Sequence, residues 1–322
     1  MSGVTPPLAA RPSAVPDRLM LLDSASLYFR AFYGVPDQRT SDDEPPTNAV
    51  RGFLDMLASL IDKHRPTHVA ACWDNDWRPA FRVEAIPSYK THRMAEGSEV
   101  AEAVPADLEV QVPLIRDALA AFGLARVGSD GYEADDVIGT LAHASRGVRA
   151  VDIVTGDRDL FQLVDDADRI RVIYTARGGV RDADVVDEAF LREKYAVASG
   201  SAYADMAVLR GDSSDGLPGV AGIGEKTAAR LITAYKDLAS LRRAVDSGDP
   251  AIKGAQRVRL EAAAAYLDVA PRVVRVALDV PVSDVDLALP TGVADLTLLS
   301  RLASEYGLTS SINRVLASMN IH

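Results

Sequence analysis

Five short apolar runs, separated by stretches of helical period, leave this chain little choice of architecture. The runs are Leu19–Leu22, Val69–Trp73, Leu124–Val127, Ala150–Val154 and Ile170–Tyr174. After the first, residues 24–33 read as a short helix rich in aromatics. Val50, Phe53, Leu54, Leu57, Leu60 and Ile61 then recur at three- and four-residue spacing, which makes one apolar helix face. Asn48 stands where that helix would be capped and Pro66 where it would stop. Pro105 and Gly123 bracket another helix over 105–122. Val137, Ile138, Leu141 and Ala142 give a third its buried face. Strands alternating with helices predict an α/β fold with a mostly parallel central sheet flanked by helices.

That prediction has a chemical consequence. In open parallel sheets, ligands bind beyond the carboxyl ends of the strands. Asp23, Asp74, Glu133 and Asp157 each come just after a strand, so the sheet would collect them at one edge. The run Gly131–Asp136 adds Asp135 and Asp136 within the same helical turn as Glu133, and Asp159 follows Asp157. Taken singly, each acid reads as a cap, a turn residue or a complement to a helix dipole. Taken together, they repel one another unless cations hold them. Mg²⁺ and Mn²⁺ are hard cations that take carboxylate oxygens.

The second half changes character. A helix candidate at 203–209 leads into Gly211–Arg230, with glycines at 219, 222 and 224. A glycine hairpin and the helix start after it both present backbone N–H groups, which bind phosphate without reading base sequence. Lys226 and Arg230 add charge, and Ile223, Ala228, Leu231 and Ile232 supply the apolar face of a helix–hairpin–helix unit. Residues 237–268 read as helical and carry Arg242, Arg243, Lys253, Arg257 and Arg259, which suit either a solvated face or a DNA contact. Between Asp74 and Pro105, Arg78, Arg82, Lys90 and Arg93 interleave with Trp77, Phe81 and Tyr89. Cations with aromatics suit single-stranded nucleic acid, although Phe81 is also a core candidate. Residues 94–102 are polar and read as mobile until substrate arrives.

Together these pieces resemble the 5′ nuclease, or flap endonuclease, family. The similarity is greatest to the bacterial 5′–3′ exonuclease branch found at the front of DNA polymerase I. The matching segments are 22–27, Trp73-Asp74, 81–93, 131–136, 155–160 and 211–224, in family order over roughly residues 18–280. The resemblance implies an α/β nuclease core over 18–184 with a helical arch at about 78–104. It implies a helix–three-turn–helix DNA-binding region over 185–280, and C-terminal helices at 281–322 packing on the core.

Residue by residue, the resemblance makes Asp23, Asp74, Glu133, Asp135, Asp136, Asp157, Asp159, Asp212 and Asp215 the metal-site acids. Lys90 and Arg93 become the catalytic cations of the arch, with Arg82 at its base and Tyr89 beside it on DNA. Gly219, Gly222, Gly224, Lys226 and Thr227 become the duplex-holding hairpin. The cofactors implied are two Mg²⁺ or Mn²⁺ ions, with a third, and a monovalent cation at the hairpin, as further options. The activity implied is hydrolysis of DNA phosphodiesters at single-strand/duplex junctions in replication and repair, as 5′–3′ exonuclease and flap endonuclease. The substrates implied are 5′ flaps, nicked or gapped duplexes and RNA-primed ends. The chain departs from the family pattern at Ser24 for Gly, Arg158 for Lys, Gly216 for Asn and Ala221 for Pro.

Composition adjusts this picture. The net charge of −11 argues against a nucleic-acid partner. Setting nine acids aside as ligands leaves −2 for the other residues, with which a basic face can coexist. The chain of 322 residues has room for one large or two ordinary domains. No run of about 20 apolar residues implies a membrane span. Residues 1–17 are proline-rich without a signal-like apolar core, and read as a mobile tail on a cytoplasmic protein. The single cysteine, Cys72, excludes an internal disulfide and a cysteine zinc cluster. No polymerase domain follows, which suggests a free-standing monomer working alongside a separate polymerase. Two other classes compete: a metal-dependent ribonuclease of the PIN type, and a non-catalytic module that binds branched DNA.

Overall fold

The computed structural model describes residues 17–41, 43–98 and 101–321. The tail expected over 1–17 lies outside them, apart from Asp17. The first half of the chain forms β1 (Arg18–Asp23), α1 (Ser24–Gly34), α2 (Asn48–His64), β2 (His68–Trp73), α3 (Ala80–Ala85), α4 (Ala106–Glu109) and α5 (Val112–Phe122). Then follow β3 (Ala125–Gly128), α6 (Ala134–Ala144), β4 (Ala150–Thr155), β5 (Ile170–Tyr174) and β6 (Asp184–Val186). The rest is helical: α7 (Glu188–Tyr195), α8 (Gly200–Arg210), α9 (Glu225–Tyr235), α10 (Leu238–Asp246), α11 (Gly254–Ala262), α12 (Ala264–Val274), α13 (Leu296–Glu305) and α14 (Thr309–Ser318).

The sheet order is β3-β2-β1-β4-β5-β6, parallel throughout except for the antiparallel β5–β6 pair. Its central strands β1, β2 and β4 are almost wholly buried because both faces are covered. Leu19 and Leu21 belong to one core with α6, α8 and α12. Met20 and Leu22 belong to another with α2, α5, α13 and α14. Strand order reverses between β1 and β4, the topological switch point where ligand sites form in such sheets. Asp23 ends β1 at that point.

Several local expectations are corrected. The helix expected over 105–122 is two helices, because Pro113, in the first turn of the second, has no N–H to continue the first; between them stands the fully buried Gln111. Its Oε1 accepts the N–H groups of Ala49 and Val50 at 2.8 and 3.3 Å, so it caps α2 from 62 and 61 residues downstream. Asn48 does not cap that helix; its amide donates to the carbonyls of Phe32 and Val35. The helical stretch expected over 237–268 is three helices, broken around Gly248, whose φ is 78°. β6 was not anticipated; three residues give too short a pattern to read. Across residues 78–104, where a helical arch was expected, the described residues form α3 and one short turn at Thr91–Arg93. Pro87, by restricting Ile86, ends α3 early.

Candidate active site

The acids gather at the switch point as the strand positions require. A cleft of about 240 Å³ is lined by Asp23, Asp74, Glu133, Asp135 and Asp157, with Lys90 and Arg93 facing them. Glu102, Trp77, Phe29 and Ser26 complete the wall. Asp23 caps α1 by accepting the Ser26 N–H at 3.1 Å, and its other oxygen accepts the Thr155 hydroxyl at 2.6 Å. Thr155 Oγ1 in turn accepts the Asp157 N–H at 2.9 Å, and Ser26 Oγ accepts the Gly156 N–H at 2.7 Å. These bonds tie β1 to β4 and orient Asp23 and Asp157. Asp74 accepts the Ala134 N–H at 2.8 Å, which joins the end of β2 to the start of α6.

The electrostatics follow from crowding. Burial, reinforced by the charges of Asp74 and Asp157, pushes the Asp23 carboxyl up to about 7, against the pull of the Thr155 hydrogen bond. Burial, then Asp23 and Asp157, pushes Asp135 well above the usual range. Asp159 is raised well above the usual range by burial and by Asp157, Asp215 and Asp212; the pair of Asp215 with Arg93 of the cleft makes these acids a second edge of the cluster. Burial also raises Asp74, Asp215 and Glu102.

Lys90 and Arg93 reach into this field. Lys90 Nζ pairs with Glu133 Oε1, and Arg93 Nη2 pairs with Asp215 Oδ1 at 2.6 Å. Burial works against the Lys90 charge, yet Glu133, Tyr89 and Asp215 hold its pKa well above the usual lysine value. Asp212 lies 3.6 Å from Arg210.

Three expected site residues are placed elsewhere. Asp136 is fully buried behind the cleft. Its Oδ1 accepts from Arg82 at 2.7 Å and from the Ala277 N–H at 2.8 Å, and its Oδ2 accepts from Arg82 at 2.7 Å and the Glu133 N–H at 3.3 Å. All of its acceptor capacity is used within the protein. Arg82 is 2% exposed and forks across Glu133 and Asp136 while donating to the Val273 carbonyl, so it supports the acids and does not reach DNA. Tyr89 is buried, and its hydroxyl donates to Glu133 Oε2 at 2.7 Å, so it offers no face for stacking.

The donor set fits hard divalent cations. Six carboxylates face two cations in the cleft, and Asp135 has no hydrogen-bond donor among the described residues. Among those residues no three acids are arranged to hold an ion as they stand; Lys90 and Arg93 take two of the acids instead.

The comparisons with known proteins agree with this geometry. An N-terminal resolvase-like domain model of 5′–3′ exonucleases matches residues 18–196, and a C-terminal SAM-fold model of the same enzymes matches residues 198–292. The chain belongs to the 5′–3′ exonuclease family. It is 56% identical over 303 residues to a 5′–3′ exonuclease of Streptomyces coelicolor, covering 93% of this chain and 99% of that one. A 5′–3′ exonuclease of Mycobacterium tuberculosis is 46% identical over 310 residues, 92% of this chain and 96% of that one. Among solved structures, zinc-bound T5 5′-exonuclease matches with a TM-score of 0.64 at 18% identity, covering 94% of this chain and 99% of that chain. That last likeness is one of fold.

Within this exonuclease-family chain, the glycine run makes two tight features. Asp212 and Leu217 exchange backbone hydrogen bonds at 2.9 and 2.7 Å and close a turn that docks on residues 88–90. Gly216, at φ 71°, lies so close that a Cβ there would sit 2.2 Å from the Ser88 carbonyl oxygen. The Asn expected from the family pattern would collide with that backbone. Gly219 and Gly222 also have positive φ, and Gly224 stands at the uncapped N-terminus of α9. Lys226 and Arg230 are exposed on the first turns of α9, with Thr227 half-buried beside them.

Arg257 is not free for DNA, because its guanidinium donates to the carbonyls of Val245, Asp249 and Ile252. Ser24, where the family pattern has Gly, keeps a buried hydroxyl with no partner among the described residues.

Sequence reasoning missed Ser26, Thr155 and Glu102. Thr155 was visible as the residue two before Asp157. Glu102 sat in a polar stretch with nothing to mark it.

Proposed function

We propose that this chain is a divalent-metal-dependent 5′–3′ exonuclease and flap endonuclease acting on DNA at single-strand/duplex junctions. The observation that carries the reading is the cleft at the β1–β4 switch point, where acids from four strand ends face Lys90 and Arg93. Asp23, Asp74, Glu133 and Asp135 would hold one ion, and Asp157, Asp159, Asp212 and Asp215 another. Mg²⁺ or Mn²⁺ held there supplies Lewis-acid polarisation of a phosphodiester and makes water a competent nucleophile near neutral pH.

The protein's own groups do the rest. Thr155 and Arg82 fix the directions of Asp23 and Glu133. Lys90 and Arg93 line the cleft and meet a phosphate entering it, where they stabilise charge developing on its oxygens. The N-terminus of α9, with Lys226 and Thr227, holds a duplex phosphate. A third ion, and a monovalent cation at the hairpin, are compatible with the acid count and with the exposed hairpin backbone. The substrates are 5′ flaps, nicked or gapped duplexes and RNA-primed ends. The protein acts as a cytoplasmic monomer beside a separate DNA polymerase, and the products carry 5′ phosphates. Among the described residues no helix is long and apolar enough to cross a membrane.

A PIN-type ribonuclease would share the sheet but has no use for the hairpin before α9. A non-catalytic DNA-binding module would have no use for the acids. The test is a 5′-labelled flap incubated with Mg²⁺ and, separately, with EDTA. Cleavage near the junction in Mg²⁺ alone is expected. An intact flap under both conditions contradicts the proposal.

A further inference from the structure

A second cavity, of about 460 Å³, opens between β5, β6, α7 and the start of α9. This lies within the range of about 300–1,000 Å³ usual for small-ligand sites. Its floor is aromatic. Tyr174, Phe190 and Tyr195 stand edge-on around buried Phe161, with ring centroids 5.0, 6.3 and 6.0 Å from it, and each remains half-exposed. Its rim is cationic: Arg158, Arg177 and Lys194 are all exposed.

Among the described residues neither Arg158 nor Arg177 has a carboxylate partner, and Lys194 pairs with its exposed neighbour Glu193 at 2.9 Å. Of the two acids in the wall, Glu225 is held by Arg210 at 3.3 Å. Asp184 is left as an acceptor for a base N–H. Arg158 stands between Asp157 and Asp159, and it also lines the shallow groove with Arg210 and Asp212. The cavity therefore begins where the acid cleft ends.

We propose that this cavity takes one nucleotide of DNA, its base against Tyr174, Phe190 and Tyr195 and its phosphate on Arg158, Arg177 and Lys194. Stacking rings beside phosphate-binding cations are what single-stranded nucleic acid requires. Neither group belongs to the hairpin or to the acid cleft. The inference rests on the nuclease reading for the ligand being DNA. A nucleoside 5′-phosphate reaches the cavity from either of two sources, a strand of the bound substrate or a released mononucleotide.

The experiment titrates the full chain in EDTA with dAMP, with deoxyadenosine and with inorganic phosphate, and repeats this with Arg177→Ala/Lys194→Ala. Both residues are exposed, so the fold tolerates the change. Saturable dAMP binding is expected, with affinity at least about tenfold weaker for the nucleoside, for phosphate and for the variant. Equal dAMP affinity in wild type and variant overturns the proposal. So does phosphate binding as tightly as dAMP, which would mark a plain anion patch. Flap affinity then separates the sources. A parallel loss of flap affinity in the variant assigns the cavity to a substrate strand, and unchanged flap affinity assigns it to the released nucleotide. A wild type that cleaves flaps but ignores dAMP overturns the cavity alone. A wild type that binds dAMP but cleaves no flap in Mg²⁺ overturns the nuclease reading alone.

Discussion

Lys90 shows how much a residue's surroundings decide its part. It has a left-handed backbone, with φ 50°, in the segment that covers the cleft, and its ammonium points at Glu133. A cation so placed contributes most when charge develops on a phosphate. Lys90→Ala should lower single-turnover cleavage of a flap by about two to three orders of magnitude. Flap affinity should stay nearly unchanged, and a large loss of affinity with normal turnover would assign Lys90 to binding. Asp23 gives a second prediction. Its carboxyl is raised from 3.8 to about 7, so between these values the folded protein holds a proton that the unfolded chain has released. Stability from this group is therefore full at low pH and is lost as pH rises through about 7. In EDTA the Tm of Asp23→Asn minus that of wild type should grow between about pH 4 and about pH 8. Mg²⁺ should shrink the difference, and a flat difference would contradict the crowding described here. The acids at strand ends were legible because position after a strand is a sequence property. The burial of Arg82 and Asp136 was not, because charged residues are ordinarily exposed, and Tyr89 was read with the cations that flank it in sequence. Nothing local shows that Arg82 meets Asp136 and the Val273 carbonyl.

Among the elements, the five parallel strands were readable to within a residue or so at each end, and the short antiparallel β6 was not. The cover of the cleft was not. Residues 86–93 are held by the Asp212–Leu217 turn, through the Lys90 N–H on the Asp215 carbonyl at 3.0 Å and the Ser88 hydroxyl on the Gly216 carbonyl at 2.8 Å. Such long-range backbone contacts leave no periodic trace in sequence. The same holds for α2, whose N-terminus is satisfied by Gln111. Gln111→Ala should cost about 1–3 kcal/mol, because buried amides of α2 and the Asn48 side chain lose partners together. Urea unfolding measures it. An unchanged midpoint would mean that water or Asn48 replaces the cap.

For the whole molecule, the sheet does the gathering. Asp23, Asp74, Glu133 and Asp157 meet because parallel strands end on one side. The helical half carries Lys226 and Arg230 on α9 and brings Asp212 and Asp215 to the second edge of the acid cluster. This division lets a chain of net charge −11 present cations on its helical half, apart from an acid cluster of which Asp23, Glu133 and Asp215 are buried. It also separates chemistry from binding, which makes the central claim testable in one paired measurement. Asp135→Asn and Asp157→Asn alter only acids that face the cleft, and neither touches the hairpin. Single-turnover cleavage of a 5′-labelled flap in Mg²⁺, measured with flap affinity on the same preparations, should show cleavage abolished and affinity retained. Near-normal cleavage by both variants would contradict the account.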